Sequence, residues 1–240
     1  MQFLVLQHDP RTHLAAFAPM ISGAGHDVHV VHLDQGEALP DLEGVDALWV
    51  LGGPQNVFEE DQYPWLIAEK ALIRDAVETR ALPYFGICLG HQLLAEALGG
   101  ACALGGREIG VVEVTPAPEA ALFDGMPSPF PVAQWHGVEV TAAPPGAQVT
   151  AWSPGCAIQA LRMGETAFSV QSHPEVLPGT ISDWGEIPEA AAILDDALGA
   201  GGTARFESAV NQHAEIFAAN ARILFTNWCR AAGIPTEPLT

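Results

Sequence analysis

The stretch GICLGHQLL, residues 86–94, decides how this chain folds. Ahead of it, ALPYFGI reads as a short apolar strand opened by Pro83. Behind it, HQLLAEAL carries Leu93, Leu94 and Ala97 at helical spacing until Gly99 stops the run. Cys88 therefore falls on the turn where a buried strand hands over to a helix, with Gly86 and Gly90 two positions away on either side. A turn this sharp crowds the backbone of its central residue, and neighbours without side chains let strand and helix approach each other. The helix aims unpaired N–H groups and the positive end of its dipole at the sulfur, which favours thiolate over thiol. The sequence predicts a reactive cysteine on a strand–helix elbow.

A thiol nucleophile needs a base and a group that orients the base. SHPE, residues 172–175, offers both. TAFSVQ before it reads as a strand, which puts His173 at the strand's C-terminal end, with Pro174 stiffening the turn to Glu175. His173 is expected to take the thiol proton and Glu175 to hold the ring; either ring nitrogen can fill either role at this stage. LGGP, residues 51–54, follows another strand, and its consecutive glycines leave backbone N–H groups free to face a ligand. The N–H of Gly53, together with that of Leu89, forms a candidate oxyanion hole. Gly52 is expected to serve the turn.

Outward from these motifs, the first half of the chain alternates strand and helix: strands at 3–6, 28–33, 47–51 and 83–87, and helices at 11–24, 64–80 and the elbow itself. That alternation predicts an α/β fold, a doubly wound, mostly parallel sheet with helices on both faces. Ligands bind such sheets beyond the carboxyl ends of the strands, where His8, Gly52, Gly53, Cys88 and His173 all fall. Residues 107–171 read as short strands broken by Pro and Gly, an antiparallel extension of the sheet. After Glu175 the pattern predicts a helix near 187–198, a flexible GAGG at 199–202, then one long helix. Phe206, Val210, His213, Phe217, Ala221, Leu224 and Trp228 give this last helix a single apolar stripe. The stripe is expected to dock on the domain's own flank, with a dimer or partner surface as the alternative. The reading is one catalytic domain over 1–240, a core of 1–185 with a helical extension over 186–240.

Taken in order, LGGP, GICLGHQLL, QWHG and SHPE resemble the class I glutamine amidotransferases of the Cys-His-Glu type over roughly residues 1–185. GICLGHQLL is the most specific of the four, and LGGP alone is weak. The resemblance implies a flavodoxin-like sheet in which Cys88 attacks a glutamine side-chain amide, His173 and Glu175 complete the triad, and Gly53 and Leu89 hold the oxyanion. It also implies that Gly52, Gln92 and the backbone of Trp135, His136, Gly137 and Val138 contact the substrate. VLQH at the end of the first strand and DQYPWL after LGGP are similar to a free-standing branch related to the amidotransferase domain of GMP synthase and to γ-glutamyl peptidases. Val138 departs from the polar or aromatic residue common at that place in related domains. The His136 side chain reads as structural, since the triad already has its base, and His91 as a packing residue.

Composition bounds the rest. A chain of 240 residues that is 49% hydrophobic can bury a sizeable core. The net charge of −20 disfavours nucleic acid and anionic membrane surfaces as partners. No apolar run approaches bilayer length, and MQFLVLQHD lacks the basic opening of a signal peptide, so a cytoplasmic protein is expected. Cys88, Cys102, Cys156 and Cys229 are widely spaced and suggest no disulfide framework. His26, His29 and His32 do not converge on a metal if they lie on a strand, where side chains alternate faces. Neither a metal nor a cofactor is called for. With no phosphate-cradling GxxxxGK[ST] in the chain, ammonia would be used by a separate synthetase subunit. The alternatives are a stand-alone hydrolase of γ-glutamyl conjugates, or a non-catalytic binding module that retains the fold.

Overall fold

A computed structural model describes residues 1–236. Nine strands form one sheet in the order β2-β1-β3-β4-β9-β8-β7-β5-β6. Its parallel half comprises β1 (Gln2–Gln7), β2 (Asp27–His32), β3 (Ala47–Val50), β4 (Tyr84–Ile87) and β9 (Ala167–Val170). The inner strands β1, β3, β4 and β9 are mostly apolar and buried because both faces are covered, whereas β2, at the sheet edge, is largely exposed. Phe3, Val5, Trp49 and Phe85 point to one core, and Leu4, Leu6, Leu48, Val50 and Tyr84 to the other. The antiparallel half comprises β8 (Ala160–Met163), β7 (Gln148–Trp152), β5 (Ala101–Pro116) and β6 (Phe130–Ala142). The helices are α1 (Ala18–Gly23), α2 (Trp65–Arg74), α3 (Leu89–Ala97), α4 (Thr180–Trp184), α5 (Pro188–Leu198), α6 (Gly202–Gln212) and α7 (Ala214–Ala232). Among the described residues, no helix is long and apolar enough to cross a membrane.

The architecture is the expected α/β sheet, but three elements differ from the sequence reading. The helix expected over 11–24 shrinks to a 3-10 turn, Ala15–Phe17, followed by α1. Ala15, at φ 42°, lies outside the right-handed helical well, so no helix runs through it, and Pro19, which lacks an N–H, is accommodated in the first turn of α1. Secondly, the strands expected as short pieces in 107–171 include two long ones, β5 and β6, paired from Ala101 to Ala142. A register shift between Leu104 and Glu108 absorbs Gly105 and Gly106 without ending the pairing.

The third difference is the single long helix, which is two. His213 ends α6 and begins α7, its Nδ1 donating to the Ala209 carbonyl at 2.8 Å. The stripe is split with it. Phe206, Val210 and Phe217 pack with Val176, Ile181 and Trp184, while Ala221, Leu224 and Trp228 enter the core around Phe3 and Trp49. Both halves are covered by the chain itself.

Candidate active site

The elbow forms as its glycines require. Cys88 holds φ 51° and ψ −101°, outside the usual wells for a side-chain-bearing residue, between β4 and α3. A Cβ on Gly90 would strike the Val50 carbonyl oxygen, and one on Gly86 would lie 2.7 Å from the Gly90 backbone. The buried Tyr84 hydroxyl donates to the Gly90 carbonyl at 2.7 Å and ties the turn to the strand below it. The Cys88 N–H donates to Val170 at the end of β9, which brings the SHPE segment alongside.

His173 and Glu175 meet as read from the sequence, and the structure assigns the ring nitrogens. Nδ1 faces Glu175 Oε1 at 2.7 Å, which leaves Nε2 for Cys88. Ring and thiol pack side by side over Gly52, where an added Cβ would lie 3.0 Å from His173 Cε1 and 3.6 Å from Cys88 Cβ. Burial opposes protonation of the ring, but the charges of Glu175 and Cys88 and the hydrogen bonds to both outweigh burial and push the His173 pKa up to about 10. Trp184 meets the imidazole edge-on at 4.7 Å between centroids and donates its own N–H to the Arg11 carbonyl. The ring is thus fixed from two sides.

A cavity of about 390 Å³ opens over the sulfur. Gly53, Cys88, Leu89, Gln92, Trp135, His136, Gly137, Val138 and His173 all line it. Gly52 does not; a Cβ there would sit 3.0 Å from His173 Cε1 and 3.6 Å from Cys88 Cβ, so it packs beneath the pair rather than facing a ligand. Gln92 and Val138 are partly spent on each other. The Gln92 amide donates to the Val138 carbonyl at 3.0 Å and to Gln171 Oε1 at 3.3 Å, so only its oxygen is left for a ligand. His91 lies in the core. Its Nε2 donates to the Ile158 carbonyl, its Nδ1 accepts from Ser169, and burial pushes its pKa down to about 3.

Sequence reasoning missed three groups. Gln171 donates to Cys88 Sγ at 3.6 Å and continues the Gln92 chain to the sulfur; its place at a strand end next to SHPE was the available signal. Glu108 sits buried under His136, accepting from its Nε2 at 3.4 Å, from Ser153 at 2.7 Å and from Gln159 at 2.5 Å. Burial works against its charge, yet these donors hold its carboxyl below the usual range. No local pattern announces that cluster. The outer wall of the cavity, formed by Leu104, Ile109, Trp184, Ile187 and Ile193, also went unread.

Fold and site together define an α/β protein in which a thiol, an imidazole and a carboxylate converge at the carboxyl edge of the parallel strands. The model of the family "Glutamine amidotransferase class-I" matches residues 16–183, and the chain belongs to that family. It is similar to the glutamine amidotransferase-like protein YfeJ of Salmonella typhimurium, 33% identical over 80% of this chain and 82% of that one. GMP synthase [glutamine-hydrolyzing] of Parafrankia sp. is 36% identical over 55% of this chain, which spans only 23% of that protein's length. Among solved structures, a glutamine amidotransferase from Thermotoga maritima aligns over 97% of this chain and 98% of its own, at 26% identity and a TM-score of 0.84. Another, from Methylobacillus flagellatus, aligns over 96% and 94% at 26% identity and 0.85.

Proposed function

We propose that the protein hydrolyses a γ-glutamyl amide through a thioester on Cys88, as one catalytic unit acting in the cytoplasm. The thiolate attacks the amide carbon. The N–H groups of Gly53 and Leu89 receive the charge that develops on the carbonyl oxygen, and His173 Nε2 protonates the departing nitrogen. Water activated by the same imidazole then cleaves the thioester, releasing glutamate and restoring the thiolate. Glu175 keeps the ring in the tautomer that faces the sulfur. The observation that carries this reading is the 2.7 Å contact between His173 Nδ1 and Glu175, which leaves the other ring nitrogen for Cys88.

With glutamine as substrate the leaving group is ammonia, and a separate synthetase chain would consume it, as the names of the GMP synthase relatives suggest. The second reading, a hydrolase acting alone on larger γ-glutamyl conjugates, is favoured by the cavity. Its volume of about 390 Å³ exceeds what a single amino acid fills, and Leu104, Ile187 and Ile193 give it an apolar outer wall. Purified protein and its Cys88→Ala variant, incubated with glutamine and with γ-glutamyl dipeptides, separate the readings through the ammonia and glutamate released. Turnover of glutamine above the dipeptides supports the amidotransferase, the reverse supports the hydrolase, and activity that survives in Cys88→Ala overturns both.

A further inference from the structure

A second histidine–carboxylate pair lies behind the LGGP turn, fully buried and outside the triad. His8 closes β1, and its Nε2 meets Glu69 Oε1 at 2.9 Å, with both side chains shielded from solvent. Its Nδ1 lies 3.1 Å from the Gly52 carbonyl oxygen and must donate there, since a carbonyl only accepts. Trp65 stacks on the ring at 5.4 Å between centroids. Burial opposes protonation of His8, but the Glu69 charge, its hydrogen bond and the Gly52 carbonyl outweigh it and raise the pKa. Two N–H donors on one ring fit both contacts.

The Gly52 carbonyl and the Gly53 N–H belong to one peptide unit. That unit is trans, the one cis bond among the described residues being Ser128–Pro129. In a trans peptide the C=O and N–H point in opposite directions. Anchoring the oxygen on His8 therefore turns the N–H away from His8. Gly53 lines the cavity over Cys88, and no described residue accepts its N–H. A Cβ at Gly53 would lie 2.7 Å from His8 Cβ, so the turn is also packed directly against the residue that anchors it. Glycines leave this peptide free to flip, which is the liability that a buried donor removes.

We propose that His8, held by Glu69, is a positioning residue that fixes the Gly52–Gly53 peptide with the Gly53 N–H facing the reacting carbonyl at Cys88. The inference rests on the hydrolytic reading above for its effect on rate, though not for its effect on geometry. A charged donor on Gly52 O also polarises the peptide and strengthens the opposite N–H.

Two isosteric variants test it, because the Asn amide nitrogen lies as many bonds from the backbone as Nδ1, and the Gln amide nitrogen as many as Nε2. His8→Asn keeps the donor to Gly52; His8→Gln keeps the contact with Glu69 and loses Gly52. With γ-glutamyl substrates, His8→Gln is expected to lower kcat about 10²–10³-fold, the effect of losing one oxyanion donor, with KM little changed. His8→Asn should recover most of kcat. Alkylation of Cys88 by iodoacetamide, which develops no oxyanion, should proceed at the wild-type rate in both, and thermal unfolding confirms that both are folded at the assay temperature. Crystal structures of the two variants read the peptide directly: the Gly52 carbonyl is expected to face residue 8 in His8→Asn and to turn away in His8→Gln. Equal kcat in the two variants, or a carbonyl that stays in place in His8→Gln, overturns the proposal. A wild type inactive on every substrate counts against the hydrolytic reading alone, since the peptide orientation still decides this one.

Discussion

Cys88 holds a positive φ because everything around it leaves no other arrangement: Tyr84 grips the Gly90 carbonyl, and Val50 fills the space behind Gly90. Replacing Gly90 with Ala would drive a methyl into the Val50 carbonyl, part of a central strand that cannot yield. Gly90→Ala is expected to cost at least about 1–3 kcal/mol in urea unfolding and to abolish activity, whereas a buried side-chain clash alone would leave some. His173 supplies a pH signature. Its folded pKa of about 10 lies above its ordinary 6.5, so the native state binds a proton that the unfolded chain has lost in between. The stabilisation is complete below about pH 6.5 and vanishes as pH rises through 10. Thermal midpoints should therefore fall across that window in the wild type, and fall less in Glu175→Gln, where the main attraction raising the pKa is gone. The pairing of His173 with Glu175 and the place of Cys88 on the elbow were legible because both are local patterns. Glu69 was legible in principle, as a carboxylate placed between Leu66 and Ile73 on the buried face of α2, but only the fold reveals that His8 meets it.

Among the elements, α7 shows how far periodicity reaches. The spacing from Phe206 to Trp228 correctly identified apolar positions, since side-chain direction on a helix follows residue number. It did not reveal the break at His213, because a helix is interrupted there by a side chain that caps a carbonyl, with neither Pro nor Gly at the break. Trp228 anchors the second half: it is fully buried, its indole N–H donates to the Tyr84 carbonyl at 3.0 Å, and it packs against Phe3, Trp49 and Phe85. Trp228→Ala is expected to lose about 3–5 kcal/mol of stability, measured by urea unfolding. The α5 region contributes Ile187 and Ile193 to the cavity mouth. If larger conjugates are the substrates, Ile193→Asp should raise KM for γ-glutamyl dipeptides with apolar leaving groups and leave glutamine turnover as it was.

Across the whole molecule, three of the four cysteines are held in reserve by burial, which pushes the thiols of Cys102, Cys156 and Cys229 up to about 12. Iodoacetamide at neutral pH is therefore expected to modify one site, Cys88, as read by mass spectrometry of the tryptic peptides. The net charge of −20 repels itself in the compact state. Raising salt from about 0.01 to about 1 M shortens the screening length from ~30 to ~3 Å and should raise the thermal midpoint. The sequence by itself determined the elbow that carries Cys88, the strand-end segment that carries His173 and Glu175, and the doubly wound half of the sheet, because each is written in neighbours along the chain: glycine spacing, apolar period and strand-end motifs. Only the tertiary structure decided the tautomer of His173, the spent amide of Gln92, the Glu108 cluster and the His8–Glu69 pair behind Gly52. Those depend on side chains dozens of residues apart whose meeting is fixed by strand order and core packing, and no local pattern encodes a contact made across the fold.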